Sequence, residues 1–158
     1  MRKISKALLI ALIICLLLTF AACPNGDNTQ NGGGEQNDDK DEVLSMKIVI
    51  GNKEFTATLY DTAAAKAFAK LLPVTLNMSE LNGNEKYNYM STALPTNAER
   101  VGSISAGDIM LYGNDCIVLF YKSFSTSYSY TKIGKIDDIS GLQQAVGSGS
   151  VTVTFQKA

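Results

Sequence analysis

The chain is predicted to be mainly β, a closed barrel of about eight strands with two helices packed on it. Three observations carry that expectation. Short runs with apolar residues at every second position recur between turn signals. Only two stretches have helical composition, one after the second strand and one before the last. The chain also begins with an export signal, and closure removes the edge strands that an exported domain would otherwise expose.

The elements follow in order. Met46-Lys47-Ile48-Val49-Ile50 and Glu54 to Tyr60 flank Gly51-Asn52, a two-residue connection suited to a hairpin. The second strand alternates Phe55, Ala57 and Leu59 with Glu54, Thr56 and Thr58, so one face turns inward. Asp61 or Thr62 then caps a helix from Ala63 to Leu72, rich in alanine and stopped by Pro73. Val74 to Met78 reads as a strand, Leu81 to Lys86 as a turn, and Tyr87 to Met90 as a short strand before a loop carrying Pro95. Ile109 to Tyr112 and Ile117 to Tyr121 are apolar enough to be central strands, joined by Gly113-Asn114-Asp115. Asp137 to Val146 reads as a second helix ended by Gly147, with Asp137-Asp138 at its start serving as cap and dipole partner. Val151-Thr152-Val153-Thr154-Phe155 closes the chain with clean alternation.

Residues 1–22 lie outside this fold. Arg2, Lys3 and Lys6 precede an apolar run from Ala7 to Phe20, and Ala21-Ala22-Cys23 closes it with small residues, the pattern of a secretory signal. The run is shorter than the ~20 residues a membrane-spanning helix needs. Thr19-Phe20-Ala21-Ala22-Cys23 resembles the lipobox of bacterial lipoproteins, with Phe20 where Leu is usual. The resemblance implies a diacylglycerol on the Cys23 thiol, cleavage before it, and an exported protein anchored to a bacterial membrane by N-terminal lipid. Residues 23–45 then form a tether rich in Asn, Gly and acidic residues, which cannot bury enough apolar surface to fold.

The domain proper is residues 46–158, of which 52 are apolar. Its charges nearly cancel, ten Lys and Arg against nine Asp and Glu, and they form no basic cluster, which argues against a nucleic-acid partner. The chain has no His and no Trp. That excludes a Ser-His-Asp or Cys-His pair, an imidazole base and a His-ligated metal. Cys116 is the single thiol of this domain, so no disulfide forms within it, and its place in the run Cys116-Ile117-Val118-Leu119-Phe120 marks it as buried and inert.

From residue 46 to 158 the chain resembles the cyclophilin family, and more closely the short bacterial cyclophilin-like domains of uncertain function. Ile48 to Leu72, Gly102-Ser103-Ile104-Ser105-Ala106-Gly107-Asp108 and Ile133-Gly134-Lys135-Ile136 followed by Gly141-Leu142 carry the resemblance. It implies a cyclophilin-like barrel. In cyclophilins the strand after the first helix bears Phe-His-Arg, whose Arg polarises the prolyl amide, and a later Trp and His complete the pocket. The matching stretch here is Tyr87-Asn88-Tyr89-Met90 without an Arg, and Arg100 on a neighbouring loop is the sole guanidinium of the domain. Efficient isomerase activity is therefore not expected.

What the domain offers is tyrosine. In the segment Tyr121 to Thr131 small hydroxyls alternate with larger side chains, so in extended geometry Phe124, Tyr128 and Tyr130 share a side. Tyrosine buries area at low entropy cost and keeps a polar tip, which suits recognition; the same rings could equally serve as cross-strand pairs covering the barrel. Tyr87, Tyr89, Arg100, Tyr112, Phe124, Tyr128 and Tyr130 are the candidate ligand-binding residues, with Tyr89, Tyr128 and Tyr130 expected around one concavity. Asp108, Asp115, Asp137 and Asp138 match no calcium-loop spacing, and Gly147-Ser148-Gly149-Ser150 precedes a strand and so forms no phosphate loop. No catalytic residue, cofactor or metal is assigned. The expectation is a monomeric, lipid-anchored extracytoplasmic binding or accessory protein for a peptide or small ligand. Its rivals are a weak prolyl isomerase acting on exported chains and a structural subunit of an envelope complex.

Overall fold

The computed structural model describes residues 44–158. The signal segment, Cys23 and the tether as far as residue 43 lie outside the described residues. Ser45, expected in the tether, already opens the first strand.

In chain order the elements are β1 (Ser45–Ile50), β2 (Lys53–Leu59), α1 (Ala63–Ala69), β3 (Val74–Leu81), β4 (Glu85–Tyr89), β5 (Glu99–Arg100), β6 (Ser103–Ile104), β7 (Asp108–Tyr112), β8 (Cys116–Phe120), β9 (Phe124–Ser125), β10 (Ser129–Ile136), α2 (Leu142–Val146) and β11 (Val151–Lys157). Eight of the strands form a closed antiparallel barrel in the order β2-β1-β11-β3-β4-β8-β7-β10, and β10 returns to β2. The closing seam pairs Gly134 with Leu59, Lys135 with Thr58 and Ile136 with Ala57. A Cβ on Gly134 would lie 2.6 Å from the Thr58 carbonyl oxygen, so this approach requires glycine. Just before it the β7–β10 register shifts between Lys132 and Gly134, a bulge that bends β10 toward the seam.

The barrel interior is apolar, built from inward residues such as Ile48, Phe55, Ile109, Leu111, Ile117, Leu119, Ile133 and Phe155. Helix α1 is capped by Thr62, whose hydroxyl accepts from the Ala65 N–H at 3.0 Å. It buries Ala64, Ala65 and Phe68, and the Phe68 ring meets Phe155 edge to face at 5.4 Å.

Helix α1 ends at Ala69 rather than Leu72, β3 runs to Leu81 rather than Met78, and two further local expectations change. The second helix begins at Leu142, not Asp137. Asp137 instead ties to β2, with its N–H donating to the Thr56 carbonyl and its carboxylate accepting from the Thr58 hydroxyl, while Asp138 accepts from the Ser140 N–H in a tight turn. These side-chain bonds offer the backbone an alternative to helix. The turn placed over Leu81 to Lys86 is only Asn82-Gly83-Asn84, with φ of 56° and 68° at the first two residues. Glu85 and Lys86 are therefore strand residues, and period two sends them to opposite faces of the barrel wall.

Candidate functional site

The wall β4-β8-β7-β10 is covered on its outer side as well as its inner one. Alternation puts Ile117 and Leu119 of β8 inside and sends Cys116, Val118 and Phe120 outward, yet all five are buried. The outward set forms a second cluster with Ile104, Met110 and Tyr130, against which Tyr87, Val101 and Phe124 pack. The short β6–β9 ribbon, pairing Ile104 with Phe124, covers one end of it. The other end stays open.

That open end is a concavity of about 230 Å³ lined by Leu81, Asn82, Glu85, Cys116, Val118 and five tyrosines, Tyr87, Tyr89, Tyr112, Tyr128 and Tyr130. The strand register explains the gathering. Tyr89 lies opposite Cys116, Cys116 opposite Tyr112, and Tyr87 opposite Val118, so one outward row and its neighbour bring rings from β4 and β7 together across β8. Tyr130 enters from β10. Tyr128 is placed by its loop, where the Thr126 hydroxyl accepts from the Tyr128 N–H at 3.1 Å and the Thr126 N–H donates to the Gly102 carbonyl at 2.9 Å. Tyr112 contacts Tyr128 at 6.1 Å and 88°, and Tyr130 at 5.7 Å; Tyr87 contacts Tyr89 at 5.9 Å and 83°. Tyr130 is 6 % exposed and belongs to the floor, whereas Tyr89 and Tyr128, both above 60 %, form the rim.

Five of the seven candidate ligand-binding residues thus line one concavity. Phe124 lines an adjoining groove that shares Asn82, Glu85, Tyr128 and Tyr130 with it. Arg100 is exposed on β5, paired with Ser129 in the ladder, and is absent from both linings. Glu85 is the one carboxyl side chain of the lining and was missed by the sequence reading. The signal for it was present, since Asn82-Gly83 is a hairpin dipeptide, and starting β4 two residues later puts Glu85, Tyr87 and Tyr89 on one face.

The electrostatics of the lining run one way. Burial raises the Glu85 carboxyl above the usual carboxylate range, and the neighbouring Glu80 charge raises it further. Burial, with Glu85 and the adjacent phenols, pushes the Tyr130 hydroxyl up to about 12. Burial and the Asp115 charge push the Cys116 thiol up to about 11, against the opposing effect of its hydrogen bond with Tyr89. At neutral pH Cys116 is a thiol, not a nucleophilic thiolate. Among the described residues no three or more Cys, Asp or Glu side chains converge as a metal site. Lys86, buried behind this wall, has its donors committed to Glu80 and to the carbonyls of Gly147 and Gly149. What the site presents is ring faces, phenol hydroxyls and a carboxylate, a surface for holding a ligand.

A sequence family described as the cyclophilin-like family matches residues 48–156. Among solved structures, the hypothetical protein AF2241 from Archaeoglobus fulgidus superposes with a TM-score of 0.55 at 21 % identity, over 73 % of this chain and 95 % of that one, a likeness of fold. No curated protein matches the chain.

Proposed function

The chain belongs to the cyclophilin-like family, and from that premise we propose that it is a ligand-binding or accessory module without efficient prolyl isomerase activity, exported and anchored to a bacterial membrane by lipid on Cys23. One observation carries the binding reading: five tyrosine rings converge on an open concavity on the outer barrel wall. Rotation about a prolyl amide faces a barrier of ~20 kcal/mol, and lowering it calls for a donor held against the amide. The lining supplies no guanidinium, and Arg100 stands outside it. The anchoring reading is supported by the sequence Ala21-Ala22-Cys23 at the end of the apolar leader.

A proline-peptide isomerisation assay tests the first part. Turnover is expected near the uncatalysed background, and strong turnover lost on Arg100→Ala would replace the binding module with an enzyme. Fractionation tests the second. The wild-type protein should sediment with membranes and Cys23→Ala should appear in the soluble exported fraction; wild-type protein found free in the cytoplasm would overturn the localisation.

A further inference from the structure

Glu85 is 8 % exposed, and among the described residues its carboxylate makes no hydrogen bond and no ion pair. A carboxylate largely withdrawn from water and without a protein partner favours a cation that can enter beside it. Its nearest basic neighbour in sequence, Lys86, points to the other face of the wall and is bound to Glu80. In the adjoining groove Asn84 Oδ1 is buried and has no partner. Both are acceptors. Neither lining contains a basic side chain, so no cation from the described lining residues faces them.

The rings around Glu85 are arranged for the same ligand. Tyr87 stands perpendicular to Tyr89, and Tyr112 to Tyr128, so ring faces are presented along more than one direction around a compact space. Aromatic faces carry negative potential and attract ammonium groups, most strongly where water is excluded. At about 230 Å³ the concavity is below the ~300–1,000 Å³ of pockets that take drug-sized molecules, a size for a head group. An anion would meet Glu85 with Glu80 behind it; a neutral donor would leave the carboxylate charge uncompensated.

We propose that the concavity binds a small alkylammonium ion, with its N–H bonds directed to Glu85 and its carbons against the tyrosine rings. The proposal rests on the reading of this concavity as the binding site and names its ligand class. The chain has seven Tyr and no Trp, and five of those Tyr line the concavity, so tyrosine emission of the full chain reports occupancy directly. The probes are n-butylammonium chloride and butan-1-ol near neutral pH at constant ionic strength. Butylammonium should bind saturably and butan-1-ol at least tenfold more weakly. Glu85→Gln and, independently of any effect on the core, the rim variant Tyr128→Ala should each weaken butylammonium about tenfold. Glu54→Gln, a distant exposed carboxylate paired with Lys47, should leave it unchanged. Equal binding of the two probes, or equal loss in Glu54→Gln, overturns the ammonium assignment and leaves the concavity a binding site. Binding of a proline peptide without butylammonium does the same. Binding of none of the three overturns both readings.

Discussion

Glu85 and Lys86 are neighbours in the chain and opposites in environment. Lys86 is fully buried, its ammonium held by Glu80, by the Gly147 carbonyl at 3.1 Å and by the Gly149 carbonyl at 2.6 Å, while the Tyr121 hydroxyl donates to the same Glu80 carboxylate at 2.9 Å. Lys86→Met leaves the Gly147 and Gly149 carbonyls without their donor, while Glu80 keeps Tyr121 and the Gly83 N–H, so it should cost ~1–3 kcal/mol by urea unfolding, and adding Glu80→Gln should restore part of it. The two carboxylates titrate in opposite senses. For Glu80, burial raises the carboxyl, but the bonds from Lys86, Tyr121 and the Gly83 N–H prevail and hold it below the usual range. Its contribution is thus present above the unfolded value of ~4.3 and is lost as pH falls through the folded one. Glu85 is raised by burial and by Glu80, so its contribution is complete below ~4.3 and is lost as pH rises through the folded value. Glu85→Gln should therefore be more stable than wild type at pH 7, by less than ~1 kcal/mol, because the amide removes the desolvated charge and its repulsion from Glu80 but still lacks a hydrogen-bond partner. Unfolding measured at pH 7 and again near pH 4 checks this, because the advantage must shrink at the lower pH.

Among the elements, β10 bears the greatest geometric demand. It joins β7 on one side and closes onto β2 on the other, and its bulge and Gly134 make the closure possible. Gly134→Ala places a methyl group against the Thr58 carbonyl, which neighbouring backbone must yield to accommodate. The expected loss is ~1–3 kcal/mol in equilibrium unfolding. Thr62→Ala removes the cap of α1 and should cost ~1 kcal/mol. The Thr62 hydroxyl also donates to the Lys132 carbonyl of β10 at 3.2 Å, so both variants touch β10, but Gly134→Ala, which displaces the strand itself and with it Tyr130, should weaken ligand binding more.

At the scale of the whole domain, one wall serves two apolar layers. Its inner face completes the barrel core, and its outer face packs Ile104, Phe120, Phe124 and Tyr130 beneath the β6–β9 ribbon. The site lies where that outer layer ends. Among the described residues Cys116 is the one cysteine, buried and free. Residues 44–158 are expected to unfold in a single transition whose thermal midpoint is unchanged by chelator or reductant. A fall of several degrees with chelator would reveal a bound metal, through the stabilisation that a native-state ligand confers.

The alternation of Phe55, Ala57 and Leu59, the glycine-first turn at Gly51-Asn52 and the Ala-rich run closed by Pro73 were legible as strand, hairpin and helix because each is a local pattern whose period matches one backbone geometry. The strands and helices of the barrel were legible for the same reason, and its closure from the need of an exported domain to hide edge strands; the tyrosines were legible as a group. The convergence of Tyr87, Tyr89, Tyr112, Tyr128 and Tyr130 on one space depends on cross-strand register among β4, β7, β8 and β10, which no local pattern specifies. The exclusion of Arg100, the unpaired state of Glu85 and the burial of Lys86 were not legible at all. A one-residue change in where β4 begins exchanges the faces of Glu85 and Lys86. That starting point is set by the Asn82-Gly83-Asn84 turn together with the pairing of Glu80 with Lys86 across it, a decision that belongs to the assembled sheet and to no single segment.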